Sequence, residues 1–186
     1  MYKMEKKQDT IRIPPHMLDE DLDAVAKEIA CETFEGNLED GNKLIIMATN
    51  IQRIGDGKIV HGDGGIYQQV KYDALVYQLE EHELIYGYVC EILKFGAFIR
   101  FGPLDGLLHI SQIMNDKVEV DIGSQRLHGK ERKKEIGIND KLRARIVTVS
   151  VNERSPRESK IGLTMRQPGL GKLEWIEEKL EAESDA

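Results

Sequence analysis

The 186-residue sequence predicts two modules, a small α+β module followed by an all-β barrel, and then a short C-terminal helix. Three observations carry that expectation. The first 82 residues hold one stretch of helical periodicity flanked by strand-like runs. Residues 83–166 hold five short strand candidates punctuated by glycine, as a small, strongly curved barrel requires. After Pro168, Leu173, Ile176 and Leu180 recur at helical spacing, with Trp175 expected to seal that helix against one of the modules. Charge divides the chain at the same places. Residues 1–82 carry 9 Lys and Arg against 16 Asp and Glu, residues 83–166 carry 15 against 11, and residues 167–186 carry 2 against 6. The net charge of −7 alone argues against a nucleic-acid partner, but a basic segment between two acidic ones is expected when only one module meets phosphates.

In the first module, Thr10-Ile11-Arg12-Ile13 alternates as a strand that Pro14-Pro15 must stop, because proline supplies no ladder donor. A helix follows, capped by Asp19 or Asp21. Leu18, Leu22, Val25, Ala26 and Ile29 share its face, and Gly36 is its stop. Leu44 to Ile54 reads as a strand, Gly55-Asp56-Gly57 as a hairpin turn into Lys58-Ile59-Val60, and Ile66 to Tyr77 as the last strand after the loop His61-Gly62-Asp63-Gly64-Gly65.

The barrel strands are expected at Leu84 to Leu93, Ala97 to Phe101, Gly106 to Ile110, Leu142 to Val151 and Lys160 to Met165. Met114 to Asp140 is a long polar insert containing the charged run Gly129 to Glu135, either a solvated loop or an arm that touches phosphate. Side chains alternate faces along a strand. Ala97, Ile99 and Phe101 therefore point inward, and Phe98 and Arg100 point out together. The same alternation turns His109 outward between Leu108 and Ile110, and turns Arg143 and Arg145 outward on the fourth strand. Lys160 adds charge on the fifth. An aromatic ring beside guanidinium groups suits a single strand, the ring taking a base and the cation a phosphate. Phe95 either joins that surface or plugs the barrel end, and His109 is either part of it or a structural histidine.

Other chemistry is not expected. No run of about 18 apolar residues predicts a membrane span, and no apolar stretch follows the N-terminal lysines to make a secretory leader. Cys31 and Cys90 have neither CxxC nor CxxH spacing, so no zinc site or disulfide framework is expected. Gly62-Asp63-Gly64-Gly65 and Gly169-Leu170-Gly171-Lys172 miss the phosphate-loop pattern. No catalytic residue, metal or cofactor is expected.

The run Gly87 to Arg100, then Asp105 to Gln112, Gly137 to Ile146 and Ile161 to Met165, resembles in order and spacing the RNA-binding OB domain named after ribosomal protein S-one. In that family the equivalents of Phe95, Phe98 and His109 form the base-stacking surface. Such barrels recur in translation factors, exoribonucleases and exosome caps. The rest of the chain narrows the choice. Ile11 to Pro15, Phe34-Glu35-Gly36, Ile54 to Gly64, and Met165 to Ile176 together resemble the E-prime family of archaeal DNA-directed RNA polymerase stalk proteins, counterparts of the seventh-largest subunit of eukaryotic RNA polymerase II. The resemblance implies an RNP-like N-terminal module joined to an OB-fold barrel, in a cytoplasmic component of a nucleotidyltransferase that lacks catalytic residues of its own. It implies a heterodimer with the small second stalk protein, F, of the RNA polymerase, and docking on the RNA polymerase core near the clamp. The tip loops Gly55-Asp56-Gly57 and His61-Gly62-Asp63-Gly64 would make that contact. It also implies binding of single-stranded nascent RNA through Phe95, Phe98, Arg100, His109, Arg143, Arg145 and Lys160. The charged stretch Lys3 to Gln8 departs from the apolar first strand expected of the family. A ribosome- or exonuclease-associated RNA-binding factor is the alternative, and a barrel face that meets protein instead of RNA is a further one.

Overall fold

The first strand, β1, runs from Tyr2 to Ile13, well beyond the alternating Thr10–Ile13 expected to form it. Only Ile11 and Ile13 on it are buried. The charged residues before them pair in backbone register, Lys3 opposite Val76 and Lys6 opposite Asp73, and Lys3 and Lys7 add side-chain bonds to Gln78 and Glu39, so no apolar pattern was needed to extend the strand. Helix α1 follows at Leu22–Phe34, with Asp21 as its N-cap accepting from the Asp23 amide at 3.2 Å. Leu18 therefore lies ahead of the helix. The strands β2 (Leu38–Glu39), β3 (Lys43–Ile59) and β4 (Ile66–Gln78) complete an antiparallel sheet in the order β1-β4-β3-β2. Val25, Ala26, Ala30 and Phe34 of α1 pack onto Ile11, Ile13, Ile45, Val70 and Tyr72, and the Phe34 and Tyr72 rings stack with centroids 4.6 Å apart. Each such side chain, fully buried, contributes roughly 1.5–3 kcal/mol.

Gly55-Asp56-Gly57 is not the hairpin turn. β3 passes through it unbroken, and the register against β4 shifts between Ile54 and Lys58, so these residues form a bulge. The buried Gln68 amide stabilises the bulge by donating to the carbonyls of Ile54 at 3.0 Å and Gly55 at 3.3 Å. A Cβ on Gly57 would lie 2.2 Å from the Ile66 side chain, so only glycine fits there. The chain reverses after Val60, where the Asp63 amide bonds the Val60 carbonyl at 3.0 Å. Asp63 then accepts from Arg12 at 2.5 and 2.8 Å and from the Tyr67 hydroxyl at 2.8 Å, pinning this loop to β1 and β4. Those two partners, Arg12 foremost, hold the Asp63 carboxyl well below the usual carboxylate range.

The structure, a computed structural model, describes residues 1–131, 134–150 and 160–184. It forms two compact units, Met1–Gln78 and Leu79–Ala186. The division falls ahead of the one expected after His82. The amide of His82 bonds Ile146, and Ile146 bonds back to Glu83, which ties this segment to the second unit.

In the second unit β5 (Leu84–Leu93), β6 (Gly96–Phe101) and β7 (Leu104–His109) form a meander. β8 (Val118–Asp121), β9 (Arg126–Gly129) and β10 (Glu135–Gly137) follow, then β11 (Lys141–Ser150), β12 (Lys160–Thr164), β13 (Gly171–Lys172) and helix α2 (Leu173–Ser184). The main sheet runs β12-β7-β6-β5-β11-β13, and β12 also pairs with β11, which closes it into a barrel. Val89, Ile99, Phe101, Leu108, Leu142 and Ile146 fill the interior. Ile110, expected to end the third strand, instead begins a 3-10 turn over Ile110–Gln112. The polar insert is a folded element: β10-β9-β8 is a small antiparallel sheet in which Leu127 and Ile136 face each other fully buried. Its charges pair internally, Arg126 with Glu135 at 2.9 Å and Lys130 with Glu119. Trp175 of α2 rests beside Gly171, with the Lys134 ammonium 4.8 Å from a ring centroid. Arg132 and Lys133 of the charged run, Val151 at the expected end of the fourth strand, the Leu180 side chain and the final residues lie outside the described residues.

Candidate nucleic-acid interface

The β5–β6–β7 meander builds one outward surface because its registers line up the outward side chains. Phe98 on β6 stands opposite Leu107 on β7, Arg100 opposite Asp105, and Gly96 opposite His109. Gly96 must be glycine, since a Cβ there would lie 2.3 Å from the Leu108 carbonyl oxygen. On the far side of β7, Gly162 of β12 pairs with Leu107 and presents no side chain. The result is a groove of about 940 Å³ lined by Phe95, Phe98, Arg100, Leu107, Lys160 and Gly162, among others. Phe95 is 46% exposed, so it stands at the groove and does not plug the barrel interior.

Within the groove, Arg100 is held by Asp105 through two parallel bonds, Nε to Oδ1 at 2.8 Å and Nη2 to Oδ2 at 3.0 Å. That hydrogen bond and charge, with a weaker contribution from Tyr88, raise the guanidinium's pKa above its already high ordinary value. Lys160 is exposed at the end of β12 and forms no ion pair among the described residues. Cys90 Sγ lies 3.2 Å from the Phe98 carbonyl, and burial pushes its thiol pKa up, against nucleophilic use. His109 is exposed and caps the 3-10 turn, its Nδ1 accepting from the Ser111 amide at 3.2 Å and lying 2.9 Å from Ser111 Oγ. Accepting at Nδ1 leaves Nε2 as the protonated nitrogen of the neutral ring, directed away from the turn. Among the described residues no group of His, Cys, Asp or Glu is disposed to hold a metal ion, and no helix is long and apolar enough to cross a membrane.

Phe95, Phe98, Arg100 and Lys160 thus come together, with His109 alongside by register. Arg143 and Arg145 do not join them. β11 pairs with the start of β5, which puts Arg143 opposite Tyr86 and Arg145 opposite Leu84 instead of beside Phe98. Three features escaped the reading of the sequence. Asp105 neutralises part of Arg100, as the register of the tight β6–β7 hairpin could have shown. Tyr86 and Tyr88 are 60% and 42% exposed, on the outward face that alternation with Ile85 and Val89 already marked.

Known proteins give the same division of the chain. Residues 78–160 match the S1 RNA binding domain, and residues 8–64 match the SHS2 domain found in the N terminus of Rpb7p/Rpc25p/MJ0397. DNA-directed RNA polymerase subunit Rpo7 of Sulfolobus acidocaldarius is 36% identical over 180 residues, covering 97% of this chain and 97% of that protein. The Saccharolobus shibatae Rpo7 is 37% identical over 178 residues, 95% of this chain and 97% of that protein. Small ribosomal subunit protein bS1 of Staphylococcus aureus is 41% identical over 49 residues, 26% of this chain and 12% of that protein. Fold and groove define a two-module protein, an RNP-like SHS2 module followed by an OB barrel of the S1 RNA-binding kind. The chain belongs to the family of DNA-directed RNA polymerase subunit Rpo7.

Proposed function

We propose that the chain is the non-catalytic stalk subunit of a cytoplasmic DNA-dependent RNA polymerase, holding single-stranded nascent RNA on its barrel while its first unit docks on the polymerase core. The observation that carries the RNA reading is the groove, which the rings of Phe95 and Phe98 line together with Arg100 and Lys160. Rings of this kind stack any base for about 1–3 kcal/mol each, and the cations take phosphates. Binding is therefore weakly sequence-selective and falls as salt rises. His109 contributes its Nε2 donor beside the groove, and Arg143 and Arg145 add charge on the barrel's outer face.

Near full-length similarity to Rpo7 subunits supports the polymerase role and a heterodimer with the small second stalk protein. Docking near the clamp through Gly55, Asp56 and Gly57 with His61, Gly62, Asp63 and Gly64 is supported by apolar exposure at this end of the sheet. Ile59 is 74% and Val60 49% exposed, and the bulge borders a hollow of about 600 Å³. The decisive experiment is fluorescence-anisotropy titration of the chain with a labelled oligouridylate across a range of salt. Binding that weakens with salt and with Phe98→Ala is expected, and salt-independent or absent binding rejects the RNA reading. Recovery of ribosomes or an exonuclease, instead of polymerase subunits, by the tagged chain would reject the polymerase role.

A further inference from the structure

Outside the groove, the barrel carries a second aromatic and basic surface. Leu84, Tyr86 and Tyr88 alternate outward along β5, and all three are exposed. Directly opposite them, in register, stand Arg145, Arg143 and Lys141 of β11. The Arg143 guanidinium lies 5.0 Å from the Tyr86 ring centroid, and its Nη1 bonds the Gly169 carbonyl at 3.3 Å. Its Nε is buried without a hydrogen-bond partner, as is that of Arg145. Among the described residues none of Lys141, Arg143 and Arg145 forms an ion pair with a carboxylate. This differs from Arg100, which Asp105 holds, and from the insert, where Arg126 and Lys130 are paired.

The surface is continuous with the groove. The registers run Asp105 to Arg100, Arg100 to Tyr88, and Tyr88 to Lys141, a single row across four strands. Arg100 and Asp105 line the groove, so Tyr88 is the next outward side chain on the path away from it. Tyr86 follows two residues along β5, about 7 Å further. Rings at that separation engage different bases of one strand.

Building on the RNA-binding reading of the groove, we propose that Tyr88 and Tyr86, flanked by Lys141 and Arg143, form a second stacking track that carries the same single-stranded RNA from the groove across β5 and β11. RNA is the occupant that the charges select. A protein partner of complementary shape would not require three unneutralised cations beside two stacking rings, whereas a phosphodiester chain supplies one anion per nucleotide to meet them. Of the carboxylates on the outer faces of β5 and β7, Asp105 is held by Arg100, and Glu91 stands opposite Phe98 at the groove end and not in register with β11.

The track makes affinity depend on RNA length. Anisotropy titrations of the full chain with oligouridylates of about 4 and about 16 nucleotides, the extremes of site size for one OB barrel, separate the two surfaces. Tyr86→Ala combined with Tyr88→Ala is expected to weaken the long oligonucleotide at least about fivefold per ring removed and to leave the short one unchanged. Tyr86→Phe with Tyr88→Phe should restore long-strand binding, because the stacking face is kept. Lys141→Gln with Arg143→Gln should lower the salt slope for the long strand by about 1.4, at roughly 0.7 per single-strand phosphate contact. An unchanged melting temperature shows that each variant is folded. Equal wild-type affinity for both lengths, or full long-strand affinity in the alanine variant, overturns the track while leaving the groove intact. Loss of a copurifying protein from the alanine variant, with RNA binding retained, would make this surface a protein interface. Failure of wild type to bind either length would instead reject the groove reading on which the track rests.

Discussion

Both units are built mainly from antiparallel strands, but they treat their edges in opposite ways. In the barrel, the β11–β12 pairing closes the sheet, so the strands around the groove have their backbone groups bonded on both sides. The first unit is an open sheet ending in β1, a strand of 12 residues paired only with β4. Lys3, Lys6 and Lys7 sit on that edge strand, where charge discourages another chain from adding to the sheet. A closed barrel can present rings and cations on its outer face without exposing a pairing edge. An open sheet must commit part of its surface to blocking pairing, and its exposed large apolar side chains fall toward its two ends, Met1, Tyr2, Met4 and Met47 toward one and Ile59 and Val60 at the other. Closure thus favours a ligand-binding face, and an open sheet leaves apolar side chains exposed toward its ends.

The largest test of the contrast concerns whether the barrel melts by itself. Phe101 is 2% exposed in the barrel core, and Phe101→Ala should cost about 3–5 kcal/mol in urea unfolding. Hydrogen exchange in α1 and β4 should stay unchanged; faster exchange there would mean that the two units unfold together. Next in size, Phe98→Ala should lose about 1–3 kcal/mol of RNA affinity with no shift in melting temperature. A fall in melting temperature would make Phe98 a packing residue and blur the distinction between face and core. In the open sheet, Asp21→Ala should destabilise α1 by about 1 kcal/mol, read from the urea midpoint of the first unit, while RNA binding is untouched.

The smallest effect concerns Asp63 and its pH dependence. Its folded pKa is depressed by Arg12, Tyr67 and the Gly65 amide. The stabilisation is therefore fully present above the unfolded value near pH 4 and is lost as pH falls through the lower folded value. Asp63→Asn should melt slightly below wild type at pH 7, and the gap should close as the pH drops below about 4. A gap that stays constant with pH would show that Arg12 does not depend on the carboxylate charge to hold the loop.

How much of this was legible in the sequence varies with the range of the interaction concerned. All five barrel strands fall close to their expected bounds, because alternation and glycine punctuation are local signals. Phe98 and Arg100 share an outward face for the same reason. Two errors arose where a local signal admits two global outcomes. Gly55-Asp56-Gly57 has the composition of a turn, yet Gln68 on the next strand bonds its carbonyls and makes it a bulge. Likewise the insert reads as a polar loop, since its core is little more than Leu127 and Ile136 facing across a short hairpin.

The sequence by itself determined the α+β-then-barrel order, the inward and outward faces of each strand, and the charge division, because periodicity and composition are properties of neighbours along the chain. Only the tertiary structure decided which outward residues meet. Strand pairing drew Lys160 to Phe98 across β7 and sent Arg143 to Tyr86. Those choices depend on registers between strands distant in sequence, which backbone hydrogen bonds fix once the barrel closes and which no local pattern encodes.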